Sequence, residues 1–194
     1  IIISGETGLG KTTLVSELIE NLRSNVIVLK SVCFAQHRNL PPYLPIIRAL
    51  ASLLKQPMGA RWLTQLKAVA PTWLLMIPSL LGPNERRQLE ASTSKPGRER
   101  LAKEWSAVLR TIGSKQPLLV VIEDIQWCDV PTLNLITSEE TTRGAGSTVF
   151  LYTVRDHDDQ ATDNAVYPRL TTIANQPLTT AIRLTPFTRS DTAL

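Results

Sequence analysis

Short apolar runs alternate with amphipathic segments along this chain of 194 residues, and the alternation predicts a parallel sheet with helices packed on it. Apolar or β-branched runs predict strands at residues 1–4, 26–32, 118–122, 148–154 and 181–184. The run at 118–122 is continuously apolar, which is typical of a strand buried on both faces of a parallel sheet. The predicted fold class is therefore α/β, with a doubly wound sheet.

Helical periodicity fills the segments between these strands. A helix over residues 11–23 is indicated by one apolar stripe, formed by Leu14, Val15, Leu18, Ile19 and Leu22. A helical insert of about residues 40–115 separates the second and third strands. Its predicted helices cover 45–54, 61–81 (two short helices, broken at Pro71 and Pro78) and 98–112.

Local signals predict the remaining connections. Gly82, Pro83 and Asn84 indicate a turn, and the polar stretch 91–97 indicates a loop. A single helix is predicted over 131–141, with Asp129 as its N-cap, and another over 167–174.

Composition narrows the class of protein without naming a function. The apolar fraction is 43% and the charged fraction 20%, which excludes a disordered chain. A net charge of +4 is too small to indicate direct contact with nucleic acid. The apolar stretch 73–81 is too short to span a bilayer, and no basic leader precedes Ile1. We expect a cytoplasmic protein without membrane contact. Both ends look cut, which indicates a piece of a larger polypeptide.

Residues 5–12, Gly-Glu-Thr-Gly-Leu-Gly-Lys-Thr, match the phosphate-loop pattern G-x-x-x-x-G-K-[ST] at every position, between an apolar strand and an amphipathic helix. Such a loop curls so that successive N–H groups and the helix N-terminus face the phosphates. Lys11 would contact the β and γ phosphates, and the Thr12 hydroxyl would reach Mg²⁺. The predicted nucleotide-binding residues are Gly5, Glu6, Thr7, Gly8, Leu9, Gly10, Lys11, Thr12 and Thr13.

The strand at 118–122 ends in two carboxylates, Glu123 and Asp124. Acids at the carboxyl edge of an open parallel sheet lie where such sheets bind ligands. One acid can hold Mg²⁺ and the other can orient or deprotonate the attacking water. Two registers stay open. We favour Glu123 on the metal with Asp124 as the base, and the alternative has Asp124 on the metal.

Four segments in this order resemble the signal-transduction ATPases of the AAA-like branch, as found in large LuxR-type and maltose-activator-like regulators and in ATPase modules attached to cyclases. They are residues 5–12, 121–129 (Val-Ile-Glu-Asp-Ile-Gln-Trp-Cys-Asp), 151–156 (Leu-Tyr-Thr-Val-Arg-Asp) and 184–187 (Leu-Thr-Pro-Phe). The segment Pro42-Tyr43-Leu44-Pro45 and the region of Trp73 are similar to the helical insert of that group. The likeness covers nearly the whole chain.

The resemblance implies five parallel strands, with an extra strand between the phosphate-loop strand and the acidic strand, and Mg-ATP as the ligand. It implies catalytic roles for Lys11, Asp124 and Arg155, with Arg155 sensing the γ-phosphate, and metal contacts for Thr12, Glu123 and Asp124. Two departures stand out. Gln126 replaces a frequent His, and Glu123 replaces the more common Asp, which leaves the metal role open and would slow hydrolysis.

These observations together predict a slow ATPase that acts as a nucleotide-dependent switch. The predicted ATPase domain covers residues 1–187, and 188–194 would begin a truncated lid or winged-helix region. Expected partners are ATP and ADP, further domains of the same polypeptide and, in one arrangement, further copies in an ATP-dependent homo-oligomer. A non-hydrolysing scaffold stays open as the alternative. A GTPase or small-molecule kinase is disfavoured, because the guanine motif Asn-Lys-x-Asp is missing from the sequence.

Overall fold

The predicted strands form one parallel sheet. Its strands are β1 (Ile2–Gly5), β2 (Ile27–Val32), β3 (Leu118–Glu123), β4 (Thr148–Arg155) and β5 (Ala181–Arg183). In this computed structural model, which describes residues 1–22, 25–35, 41–93, 97–156 and 166–187, the order across the sheet is β2-β3-β4-β1-β5. The α/β class is confirmed, and so is the extra strand, β4, between β1 and β3.

Nine α-helices occur within the described ranges. They are α1 (Lys11–Leu22), α2 (Leu44–Leu54), α3 (Gly59–Val69), α4 (Pro71–Leu75), α5 (Pro83–Ser92), α6 (Arg98–Gly113), α7 (Val130–Ile136), α8 (Glu139–Gly144) and α9 (Val166–Ala174). Short 3₁₀ turns cover Pro78–Leu80 and Ile125–Trp127. The proposed lid segment, 188–194, lies outside the described residues. Among the described residues, no helix is both long and apolar enough to cross a membrane.

The sheet separates two apolar clusters, and the strands β1, β2, β3 and β4 contribute alternate residues to them. Ile3, Val121 and Leu151 pack with Val15 and Ile19 of α1 on one face. The other face carries the larger cluster, which joins the sheet to the insert helices α2, α3, α4 and α6. At the centre of the insert, Trp73 lies edge-on to Tyr43, with 5.5 Å between ring centroids, and donates its indole N–H to Leu101 O.

The predicted turn at 82–84 is wrong, because α5 begins at Pro83. Proline is well suited to a first helical position, and the Glu85 carboxylate accepts a hydrogen bond from Gly82 N at 2.9 Å. The helix buries none of its residues, so no apolar period marks it in the sequence. For the same reason, the predicted loop at 91–97 begins two residues too early.

The single helix predicted over 131–141 is also wrong, since it is two helices, α7 and α8. The Ser138 hydroxyl accepts a hydrogen bond from Thr141 N and so starts a new helix in the middle of the segment. The predicted cap of α7 is confirmed: Asp129 accepts hydrogen bonds from Thr132 N and also from Tyr43 N. One carboxylate therefore ties the start of the insert to the segment after β3.

Candidate functional site

The loop between β1 and α1 has a shape that its glycines permit. Gly5 has a φ of 154°, and a Cβ at this residue would lie 3.0 Å from Leu184 O. Gly10 has a φ of 83°, and a Cβ there would meet no atom within 4 Å. The loop is thus closed against Leu184, the residue after β5, at its first residue and open at its last. The open side leaves room for a phosphate group to approach the backbone.

Lys11 is buried and turned back over this loop. Its Nζ donates to the carbonyl oxygens of Gly5 at 2.6 Å and Glu6 at 2.7 Å. Burial lowers the pKa of Lys11 below that of an ordinary lysine, Arg155 acts in the same direction, and the carboxylates of Asp124 and Asp156 oppose the shift. The ammonium is therefore held by backbone carbonyls at the site where phosphate oxygens would otherwise accept its hydrogen bonds.

The remaining residues predicted to bind nucleotide lie along the same segment. Most of them are exposed: Glu6, Thr7, Gly8, Gly10, Thr12 and Thr13. Leu9 is half-buried, and its Cδ1 lies 3.4 Å from the Cβ position of Gly5. Thr12 and Thr13 occupy the first turn of α1, where backbone N–H groups have no intrahelical partners and no acidic side chain is present. This end of the helix is suited to an anion.

The first acid after the apolar run, Glu123, is the last residue of β3 and lies on the sheet face that α1 covers. Only 3% of it is exposed. Lys30, on the neighbouring strand β2, brings its Nζ within 2.7 Å of Glu123 Oε1. The buried carboxylate is thus charge-compensated from the β2 side of the sheet.

The second acid, Asp124, has a left-handed backbone, with a φ of 52°. This conformation turns the chain at the end of β3, and Asp124 N donates to Thr153 Oγ1 on β4. The Asp124 carboxylate lies 3.3 Å from Arg155 Nε and accepts a hydrogen bond from Gln126 Nε2 at 3.2 Å. Asp124 therefore belongs to the β4 side of the sheet, and its charge acts on Lys11.

Arg155 is the last residue of β4 and the register partner of Gly5. Its backbone is fixed on both sides, because its N–H donates to Gln126 Oε1 and its carbonyl accepts from the Tyr167 hydroxyl. Its guanidinium remains about one-third exposed. Lys11, Asp124 and Arg155 thus come from three elements to one edge of the sheet.

Three side chains of this edge are absent from the set predicted from the sequence: Lys30, Gln126 and Thr153. Lys30 has a visible signal, since it is a charge inside an otherwise apolar strand. Gln126 is fully buried, and its amide joins Asp124 to the backbone of Arg155. The sequence gives no signal for the contact of Thr153 with Asp124, because it depends on the pairing of β3 with β4.

The residues fit a magnesium ion that is shared with a nucleotide. Among the described residues there is no group of three or more His, Cys, Asp or Glu that could hold a metal alone. Mg²⁺ commonly takes one or two protein ligands and completes its shell with phosphate oxygens and water. The Thr12 hydroxyl and the carboxylates of Glu123 and Asp124 are oxygen ligands of the kind that such a shared ion takes.

Comparisons with known proteins agree with this geometry. The family description "AAA ATPase domain" matches residues 1–151. The crystal structure of Cdc6p from Pyrobaculum aerophilum has a similar fold, with a TM-score of 0.52 and 14% sequence identity. The alignment covers 98% of this chain and 40% of that one, so the present chain spans well under half of that protein. No curated protein matches.

The family match covers more than three-quarters of the chain. It includes the phosphate loop, the insert, both acids and the first half of β4. The five-stranded order and the phosphate loop before α1 are those expected of such a domain. The chain belongs to the AAA ATPase domain family.

Proposed function

We propose that this domain binds Mg-ATP at the loop before α1, hydrolyses it slowly and uses the change in nucleotide as a conformational switch. The observation that carries the proposal is the meeting of Lys11, Asp124 and Arg155 beside the open loop. A phosphate-binding loop alone would support binding. A carboxylate and a guanidinium beside it also support a reaction and a response to it.

Each side chain has a role in this proposal. Lys11 exchanges its two carbonyl contacts for oxygens of the β and γ phosphates. Mg²⁺, when bound with the nucleotide through Thr12 and Glu123, supplies charge neutralisation at the phosphates. Asp124 accepts a proton from the attacking water. The reversed register, with Asp124 on the metal, stays the alternative for the two acids.

Arg155 links the reaction to conformation. Its guanidinium donates to the Asp124 carboxylate. A γ-phosphate offers a stronger partner, because charge-assisted contacts to phosphate are among the strongest that a guanidinium makes. Arg155 would then leave Asp124 for the phosphate and free the carboxylate for water. Loss of the γ-phosphate would restore the original pair.

The wider role is also a proposal. We infer a domain of about residues 1–187 within a larger cytoplasmic regulator that resembles signal-transduction ATPases, with residues 188–194 leading into a lid. Its partners would be ATP, ADP and the rest of the same polypeptide, and an ATP-dependent homo-oligomer is compatible with this family. The output, transcriptional or signalling, would depend on the attached domains.

Lys11→Ala tests the binding site directly. Loss of one ammonium from a multiply charged ligand should cost on the order of 2–4 kcal/mol of binding free energy. Calorimetric titration with Mg-ATP measures this, and circular dichroism verifies that the variant folds. Equal ATP affinity in the two proteins would contradict the site. A phosphate-release assay with ATP and GTP separates a slow ATPase from a scaffold and from a GTPase.

A further inference from the structure

A second concavity, of about 650 Å³, opens at the β2 edge of the sheet. We call it the β2-edge cavity. Its walls come from α1, β2, the helices α2 and α3, and the turn before β3. None of the residues of the phosphate loop lines it, and neither does Asp124 or Arg155. Its volume lies in the range of sites that hold small organic molecules.

The lining of this cavity is basic and apolar at once. Lys30, Arg61 and Lys115 line it, and no acidic side chain does so among the described lining residues. The Lys115 ammonium lies 5.7 Å from the centroid of the Trp62 ring and 2.7 Å from Gln65 Oε1, which are both neutral groups. The charge of Lys115 is thus solvated by neutral groups and remains available to an anion.

We propose that the β2-edge cavity binds a small organic anion with an apolar or aromatic body. Arg61 and Lys115 would recognise the charge, since both are exposed at the opening. The body would pack on the apolar lining, to which Ile19 and Val28 contribute from the α1 side of the sheet and Leu53 from the insert side. A ligand with a negative charge but no apolar body would not contact the apolar side chains. A neutral apolar ligand would not pair with Arg61 and Lys115.

Lys30 connects the cavity to the acidic pair. It lines the cavity and also compensates the buried Glu123 at 2.7 Å. An anion in the cavity competes with Glu123 for the same ammonium. Binding there is therefore coupled to the Lys30–Glu123 ion pair. By thermodynamic reciprocity, a change in that ion pair alters the affinity of the cavity for the anion. The consequence for turnover rests on the proposed ATPase function, whereas the binding itself does not.

The experiment uses anilinonaphthalene sulfonate, an aromatic anion whose fluorescence rises in apolar surroundings. The double variant Arg61→Ala/Lys115→Ala should raise its Kd about tenfold, or roughly 1.4 kcal/mol. The matched control Arg87→Ala/Lys103→Ala removes one Arg and one Lys from exposed positions outside the cavity and should leave Kd within about twofold. Naphthalene sulfonate should displace the probe, and the neutral sulfonamide should not.

Two further variants separate this site from the phosphate loop and test the link to Glu123. Lys11→Ala should leave the probe's Kd unchanged even where ATP binding is lost. Glu123→Gln should tighten probe binding by roughly threefold, because Lys30 is released to the cavity. Equal loss in the cavity variant and its control, displacement by the sulfonamide, or loss in Lys11→Ala would each overturn the site. An unchanged Kd in Glu123→Gln would overturn the coupling alone.

Discussion

Glu123 and Asp124 are neighbours in the chain, yet they occupy two different regions of the molecule. Glu123 is closed in beside β2, with 4% of its side chain exposed and Lys30 as its counter-ion. Asp124 stands beside β4, with 26% of its side chain exposed and Arg155 and Gln126 as its partners. One residue step at the end of a strand thus separates a buried, compensated charge from an accessible one.

The cause of the difference is the backbone. Within a strand, consecutive side chains point to opposite faces. Glu123 obeys this rule and faces α1, whereas Asp124 leaves it through a left-handed φ of 52°. In ordinary strand geometry, the Asp124 side chain would point to the sheet face opposite Glu123. Its partners would then not connect it to the phosphate loop. The turn at Asp124 brings the second acid back toward Lys11.

The largest effect is expected on turnover when Asp124, the accessible acid, is replaced. Asp124→Asn should leave Mg-ATP binding within about twofold and reduce turnover by about a hundredfold or more, because the amide keeps the shape but accepts no proton. Single-turnover phosphate release measures the loss. Asp156→Asn, at the end of the neighbouring β4, is the control and should change turnover by less than about threefold.

Glu123→Gln completes this pair by testing the buried acid. It should weaken the Mg²⁺ dependence of ATP binding while turnover at saturating Mg²⁺ is less affected than in Asp124→Asn. Titration of Mg²⁺ at fixed ATP reports this difference. Exchanged phenotypes in the two variants would show that the reversed register of the acids is the right one.

The second effect concerns stability on the β2 side. Lys30→Met leaves Glu123 buried without its counter-ion and should cost about 2–3 kcal/mol of unfolding free energy, less than for a fully buried pair because Lys30 is one-third exposed. Glu123→Gln should cost only about 1 kcal/mol, since the released lysine can reach solvent. Urea unfolding of both single variants and the double variant gives the coupling. Equal costs for the two single variants would contradict the described asymmetry.

The third effect tests the cation on the β4 side. Arg155→Ala should reduce the difference between ATP-analogue and ADP affinity by about tenfold, roughly 1.4 kcal/mol, with ADP binding little changed, because only differential affinity can drive a switch. Arg183→Ala removes a similar guanidinium, which pairs with Asp156 at 2.9 Å, and serves as the control. A parallel loss of ADP and ATP-analogue affinity would make Arg155 a general electrostatic residue.

The smallest effect is a pH dependence of Lys11. Because burial lowers its pKa below 10.5, the ammonium is lost earlier than in an exposed lysine as the pH rises. Nucleotide affinity should therefore fall by less than about tenfold between about pH 7 and about pH 10. In the same window the unfolded chain binds more protons, so the nucleotide-free protein should gain stability with pH. Lys11→Arg keeps its charge, and its affinity should stay flat in the same titrations.

The sequence predicts the phosphate loop and the sheet because both depend on local patterns. The residues of the loop are contiguous. The continuous apolar run of β3 identifies a buried strand even when its neighbours in the sheet are not known. The helix α5 is not predicted, because none of its residues is buried and its sequence therefore has no apolar stripe. The break between α7 and α8 depends on a single hydroxyl at Ser138.

The surroundings of the two acids could not be read from the chain in the same way. Lys30 precedes Glu123 by more than ninety residues, and the two meet only because β2 lies beside β3 in the sheet. The contact of Gln126 with Arg155 depends on the order β3-β4 and on the turn at Asp124. Sequence reasoning found the acids, whereas the fold determines which of them is compensated and from which side.

The close approach of Leu184 to Gly5 connects the loop to the chain that follows β5. The Leu184 carbonyl oxygen lies 3.0 Å from the position that a Cβ of Gly5 would take, and Leu184 N donates to Ser4 O at 2.8 Å. The three residues of β5 are exposed, so this strand is held mainly by its ladder to β1. A pull on the segment that follows Leu184 would load the hydrogen bond at Ser4 first and the loop next. Force applied there would reach the backbone of the phosphate loop through the contacts of Leu184, without passing through the apolar core.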